Sequence, residues 1–286
     1  MNLFTVCSDN GQRLKTEYES GFSEEEKPIA EAFLEAIRLE GRLSVNCKPT
    51  PLLKTLEEGV YLNRYEIARR KGVEEGTERE AVLRETLGDY YERRTAFDRY
   101  WEAGESFLYG ALNIGNAGAS RYGEYCLVWK EDLPLNYQKG YLEGDSLRCF
   151  VPPDTCVVDE AAIREKCACH ATKQYLALQK HREEALNHEA KHWANCLCNE
   201  GGYIEAIFGN GTGEVAISYI EEIRLPQENK KWYEDTEQEL RLLDDEEYAI
   251  FEETDAETAQ MVTAFQKISE IIAERGLPMI KGIKDA

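Results

Sequence analysis

No run of about eighteen apolar residues occurs in the sequence, so no transmembrane helix is expected. The opening residues, MNLFTVCSDNGQRLK, lack a basic segment followed by an apolar one, which reads as no signal peptide and a cytoplasmic protein. Cations are in short supply: 34 Lys and Arg face 55 Asp and Glu, for a net charge of −21. The field of the whole molecule therefore repels nucleic acid and anionic membrane unless a local basic groove is built. Histidine is rarer still, with 4 residues in the chain. No internal repeat is present. The 9 cysteines are an odd number, and without a secretory leader they read as reduced thiols, not a disulfide framework. What the sequence does have is core material: 42% hydrophobic residues, 16 Tyr and 4 Trp over 286 positions, enough for one large domain or two small ones.

Along the chain, residues 1–23 are weakly patterned and read as an arm. Ser23 followed by Glu24, Glu25 and Glu26 opens a helix with Glu26 at the capping-box position, and Gly41 ends it. Leu43–Cys47 reads as a strand, Thr50-Pro51 starts a short leucine-rich helix that stops at Gly59, and Val60-Tyr61-Leu62 reads as another strand. Residues 64–104 are charged and helical. Phe107-Leu108-Tyr109 is a strand, Asn113–Gly118 a small-residue loop, and Tyr122–Trp129 a nearly continuous apolar run suited to a central strand. The loop glycines do not form a dinucleotide fingerprint, because no strand–turn–helix unit surrounds them. Residues 134–158 are irregular, Asp159 caps a long helix over about 160–196, and residues 227–260 are strongly acidic ahead of a last amphipathic helix.

The stretch 199–226 draws the most attention. Tyr203–Phe208 and Val215–Ile220 flank a Gly-Asn-Gly-Thr-Gly turn, the pattern of a hairpin. Glu205 is a carboxylate inside an otherwise apolar strand, which is costly unless it is paired or has a task. That makes Glu205 the leading candidate for a catalytic residue.

All four histidines lie in one segment, at His170, His181, His188 and His192, flanked by Cys167, Cys169, Cys196 and Cys198. His188-Glu189-Ala190-Lys191-His192 matches the H-E-x-x-H pattern, in which two histidines on one helix face bind zinc and the glutamate serves as general base. Lys191 places a cation in the motif, the cysteine pairs are C-x-C, and no matching third ligand follows, with Glu200 only eight residues on. The preferred reading is a charged surface helix, with zinc at His188 and His192 as the alternative.

Three separated stretches, residues 44–62, 120–129 and 200–225, together resemble the NAD-dependent ADP-ribosyltransferase fold, most closely its bacterial toxin and phage-defence members. The resemblance implies an α+β core of two small packed antiparallel sheets forming an NAD cleft, over residues 43–226. Helical insertions at 64–104 and 159–198, an N-terminal arm and helix at 1–42, and an acidic helical extension at 227–286 complete the chain. It implies NAD as a substrate, with Glu205 holding the nicotinamide ribose and stabilising the oxocarbenium-like state as nicotinamide leaves. The first-strand position that usually carries His or Arg reads Asn46-Cys47 here. Arg64 is a substitute, Tyr61 and Tyr122 would stack on nicotinamide, and Ser120, Arg121 and Gly123 would line the same cleft. A macromolecular acceptor, nucleic acid or protein, and an antitoxin or inhibitor protein are the implied partners. Membrane is not among them.

The chemistry is coherent, since a positioned carboxylate stabilises developing positive charge best where water is excluded. Two other classes compete with it. One is a zinc-dependent hydrolase built on His188, Glu189 and His192; the other is a non-enzymatic acidic protein that binds a basic partner. The only dense supply of cations for a nucleic-acid groove is Arg64, Arg69, Arg70, Arg79, Arg84, Arg93, Arg94 and Arg99.

Overall fold

In the computed structural model, which describes residues 1–134, 136–198 and 201–284, the chain begins with a helix, α1 (Leu3–Gly21). This corrects the expected arm. Leu3, Phe4, Val6, Cys7 and Leu14 are buried on one side, but Asn10 and Gly11 interrupt that face and blur its period. Gly11 is the point of closest approach, where a Cβ would lie 2.7 Å from Thr172 Oγ1. α2 (Lys27–Glu40) follows the anticipated cap: Ser23 N–H donates to Glu26 Oε2 at 2.9 Å and Glu26 N–H to Ser23 Oγ at 3.3 Å. β1 (Arg42–Cys47), α3 (Pro49–Glu58) and β2 (Val60–Leu62) come in the expected order, with Gly59 left-handed at φ +76° behind α3.

The charged insertion forms α4 (Arg64–Glu75), α5 (Arg79–Leu87) and α6 (Tyr91–Tyr100). β3 (Leu108–Asn113) and β4 (Tyr125–Trp129) are the two inner strands anticipated there. The stretch expected to be irregular contains β5 (Gln138–Leu142) and α7 (Ser146–Phe150). The long helix expected from Asp159 is broken into α8 (Glu160–Glu165), β6 (Cys167–Cys169), α9 (Lys173–Lys180), α10 (Arg182–Asn187) and α11 (Trp193–Cys196). Tertiary pairing overrides helical propensity here, because Cys167 and Ala168 are fully buried against β5 at the sheet edge. The chain closes with β7 (Glu205–Gly209), β8 (Glu214–Ala216), β9 (Ile220–Pro226), α12 (Gln227–Leu240), α13 (Asp245–Thr254), α14 (Ala256–Arg275) and β10 (Ile280–Ile283).

The class is mixed helix and sheet, and the two sheets are unequal. Eight strands run in the order β10-β9-β4-β1-β3-β7-β5-β6, and β2 pairs with β8 as a separate ribbon. The large sheet is antiparallel except for β9 and β10, which are parallel. The expected hairpin is not formed. β7 lies between β3 and β5, whereas β8 belongs to the ribbon, so the glycine-rich turn carries the chain from one sheet to the other. The five consecutive buried residues of β7 explain the difference, since a strand covered on both faces and paired on both edges has no edge left for β8. Asn63 pins the crossing. Its N–H donates to Gly213 O at 2.8 Å, its Nδ2 to Glu105 O at 2.9 Å and Phe107 O at 3.0 Å, and its Oδ1 accepts from Glu66 N–H at 2.9 Å as the cap of α4.

The sheet separates two apolar layers. Cys47, Leu112, Leu127, Trp129, Ala206 and Phe208 face a layer that includes Phe33 of α2, Leu52 of α3 and Ile268 of α14. Ile207 and Leu142 face a second layer built from Phe4 of α1, Phe97 of α6, Leu147 of α7 and Ile163 of α8. Side chains alternate along a strand, so Glu205 points with Ile207 into the second layer. Within the acidic extension Tyr233 stacks on Phe265 at 4.8 Å; the extension joins the rest of the chain through the Tyr233 hydroxyl, which donates to Glu124 Oε1 at 2.6 Å, and through β10 alongside β9, while α13 buries no residue. No helix among the described residues is long and apolar enough to cross a membrane.

Asn63→Ala removes a helix cap and leaves two buried carbonyls without donors. We expect a loss of about 2–4 kcal/mol in urea denaturation. An unchanged midpoint would show that the crossing between sheets does not depend on this side chain.

Candidate active site

Glu205 opens β7 and is only 5% exposed. Its Oε2 accepts the backbone N–H of Ser146 at 2.9 Å. Ser146 is the first residue of α7, and Asp145 caps that helix, with Oδ1 accepting from Leu147 N–H and Arg148 N–H, each at 2.9 Å. The other oxygen of Asp145 faces outward. It accepts from the Tyr203 hydroxyl at 2.7 Å and the Tyr122 hydroxyl at 3.2 Å, and the two phenols meet at 2.9 Å. Arg121 covers this pair: its guanidinium lies 4.6 Å from the centre of the Tyr122 ring, and its Nη2 donates to the Tyr122 hydroxyl at 2.7 Å. Two carboxyl groups, two phenols and one guanidinium thus converge at the start of α7.

Beneath them lies a second cation. Arg94 of α6 stacks 3.8 Å from the centre of the Tyr109 ring, sits 3.4 Å from Asp98 Oδ1 and donates to Ser146 Oγ at 3.2 Å. Burial pushes the Glu205 carboxyl up to about 8, Arg94 opposes the shift, and the charge of Asp145 adds to it. Burial also raises Asp145, but the Arg148 N–H, the Tyr203 hydroxyl and Arg94 outweigh it and hold that group below its ordinary value. The two carboxyls are therefore split, Asp145 ionised and Glu205 protonated near neutrality.

A cavity of about 310 Å³ opens beside this cluster, lined by Tyr203, Asp145 and Arg121 and also by Arg148, Lys180, and a Lys166 paired with Glu143 at 3.0 Å. Its size falls in the range of ligand pockets. Lys180 donates to the carbonyls of Glu143 and Tyr203, and its burial lowers its pKa. In a chain of net charge −21 this is a locally cationic wall. A wider groove of about 730 Å³, lined by Ile217, Ile220, Arg275 and Leu277 among others, holds none of the site residues anticipated from sequence.

Those anticipated residues divide. Arg121 and Tyr122 come together with Asp145, one hydrogen bond along α7 from Glu205. Asn46 and Gly123 support them. Asn46 Nδ2 donates to Ala117 O and Gly123 O, both at 3.0 Å, and its Oδ1 accepts from Ala119 N–H at 3.0 Å, so the loop bearing the exposed Ser120 is tied to β1. Gly123, at φ +142°, packs so tightly that a Cβ would fall 2.0 Å from the carbonyl carbon of Cys47. Cys47 and Tyr61 belong to the opposite layer, Tyr61 edge-on to Trp129 at 5.8 Å, and burial pushes the Cys47 thiol up to about 12. Arg64 is exposed at the start of α4, on the side of β2. Apart from Arg121, the cavity's lining comes from the turn after β5, from α7, α8 and α9 and from the residues ahead of β7, and none of it belongs to a strand of either sheet.

His188 and His192 do not share a helix face. His188 ends α10 and is exposed, and His192 lies in a separate 3-10 turn, Ala190–His192, so the geometry the zinc motif requires is not formed. Among the described residues no group of three His, Cys, Asp or Glu side chains is gathered for a metal ion, and Glu200 lies outside the described residues. Asp145, Ser146 and Lys180 carry no signal of a site in the sequence, and Arg94 stands there only among the arginines of the charged helices. An Asp-Ser pair ahead of an apolar turn is a helix-start signal that could locate α7, but nothing linear ties it to a strand 59 residues on. No protein-family model matches the chain, and no curated protein matches it.

The protonation of Glu205 has a stability consequence. Its folded pKa lies above the unfolded value of about 4.3, so the folded state binds the extra proton, and stability falls as pH rises from about 4.3 to about 8. Glu205→Gln keeps a neutral acceptor for Ser146. We expect it to match wild type near pH 5 and to exceed it by about 2–4 kcal/mol at pH 9 in chemical denaturation. Parallel curves for the two proteins across that range would show that Glu205 carries no such proton.

Proposed function

We propose that the chain is an NAD-dependent ADP-ribosyltransferase, with the cavity above Glu205 as its dinucleotide site. One observation supports this above the others: the cavity brings cations together with the aromatic, carboxylate-bearing cluster. Arg148 and Lys180, beside a Lys166 that is paired with Glu143 at 3.0 Å, are lining cations suited to a diphosphate. Asp145 and Tyr203 line it with a carboxylate and an aromatic face suited to a cationic ring, with Tyr122 hydrogen-bonded to both and the buried Glu205 behind Ser146. An oxidised nicotinamide dinucleotide carries both chemistries. Loss of nicotinamide from it leaves positive charge on the ribose.

The residues of this chain then take distinct parts. Glu205 is the carboxyl whose ionisation is favoured by positive charge arriving beside it, which turns a group protonated in the free protein into a charged one during reaction. Asp145 remains ionised and orients the two phenols. Tyr122 and Tyr203 offer rings for stacking, and Arg121 closes the rim.

The acceptor is a macromolecule, and its class bears on the arginines. Arg69 pairs with Glu66, Arg70 with Glu58 and Glu214, Arg79 with Glu105, Arg84 with Glu92, and Arg99 with Glu80 and Glu105. With Arg94 paired to Asp98 as well, six of the eight arginines are engaged by carboxylates, which favours a protein acceptor over nucleic acid. The resemblance to toxin and phage-defence enzymes makes an inhibitor protein the natural regulatory partner and an intracellular effector the biological setting.

Incubating the purified protein with labelled NAD and cell extract tests the reading. Wild type is expected to label a macromolecule and to release nicotinamide, and Glu205→Gln to lose the labelling by about 100-fold or more while remaining folded. Wild-type protein that neither labels extract nor releases nicotinamide would overturn it.

A further inference from the structure

α7 is five residues long, too short to hold its own conformation, yet it presents both Asp145 and the Ser146 N–H to the site. Its stiffness comes from α6. Arg93 donates to Val151 O at 2.9 Å and also to Leu147 O, gripping the far end of α7. Arg94 grips the near end through Ser146 Oγ at 3.2 Å. Arg94 is itself held. Its side chain is 14% exposed, against an Asp98 that is 0% exposed, and Asp98 also accepts the Tyr109 hydroxyl. The hydrogen-bonded chain runs Tyr109, Asp98, Arg94, Ser146, Glu205, from β3 through α6 and α7 to β7.

From this geometry we propose that Arg94 is a positioning residue: its guanidinium fixes the first turn of α7 and, through Ser146, the location of the Glu205 carboxyl. The inference rests on Glu205 being the reacting carboxyl. Arginine suits the task because it stays charged when buried and its planar fork reaches Asp98 and Ser146 at once. Lysine offers a point charge without the fork. The charged and titratable groups around Glu205 are Arg94 and Asp98 from α6, Tyr109 from β3, Asp145 and Cys149 from the α7 region, and Tyr122 and Tyr203 at the rim. Arg94 is the only cation among those named, so its removal leaves the charge of Asp145 to act on Glu205 unopposed.

Two readouts separate this role from a merely structural one. The first is the titration of the Glu205 carboxyl carbon by NMR, which needs no turnover. Its midpoint, about 8 in wild type, is expected to rise by at least about one pH unit in Arg94→Gln and to return most of the way in Arg94→Lys. The second is the kinetics of NAD cleavage, in which Arg94→Lys is expected to lower kcat by about tenfold or more with KM little changed, because charge is restored but the fork is not. A folded Arg94→Gln protein whose Glu205 titrates as in wild type would overturn the inference. So would an Arg94→Lys variant with unchanged kcat, and that variant carries the test if Arg94→Gln does not fold. If wild type shows no NAD cleavage, the proposed activity falls while the titration still decides the role of Arg94.

Discussion

A carboxyl group held in the interior of a sheet must find a donor, and in this protein the donor is the backbone N–H of Ser146. Much of the site follows from meeting that requirement. The N–H is free to donate because it lies at the start of a helix, where the first turn has no intrahelical acceptors. The helix start in turn needs a cap, and Asp145 supplies it with one oxygen while offering the other to two tyrosines. Two carboxyls brought this close to a buried strand call for a cation, and Arg94 meets that need from beneath. Helix α7 is therefore the joint through which the electrostatics of β7 reach the cavity.

The same constraint accounts for what could be read in the sequence. Glu205 stands out because a strand of Tyr, Ile, Ala and Phe gives no local reason for an acid, and its burial follows from that setting. β1, α3, β2 and β4 are local too, each written in a few residues of propensity, capping and apolar pattern. Arg121 and Tyr122 lie beside a loop whose glycines announce tight turns, and Gly123 is the position where backbone meets backbone. Legibility stopped where partners are distant. Nothing near Glu205 points to Asp145 or Arg94, because those contacts are made by helices that return from far along the chain.

The errors have a shared origin. The hairpin expected around the glycine-rich turn depended on reading two neighbouring strands as each other's partners, whereas β7 is paired on both edges by β3 and β5. The long helix expected over the cysteine-rich segment depended on propensity, whereas Cys167–Cys169 completes a sheet edge. In both places non-local pairing outweighed local preference. Cys47 lies in the apolar layer on the face of the sheet opposite Glu205, and Tyr61, on the separate β2–β8 ribbon, packs edge-on to Trp129 in that same layer.

The central claim is that the cavity receives a dinucleotide whose positive ring ionises the buried carboxyl. Calorimetric titration with oxidised and reduced nicotinamide dinucleotide, near pH 7.5 and in buffers of different ionisation enthalpy, tests it most directly. The oxidised form is expected to bind more tightly, by about tenfold, and to release protons as Glu205 gives up its own; the reduced form, with a neutral ring, does neither. Equal binding of both forms without proton release, or binding of neither, would contradict it.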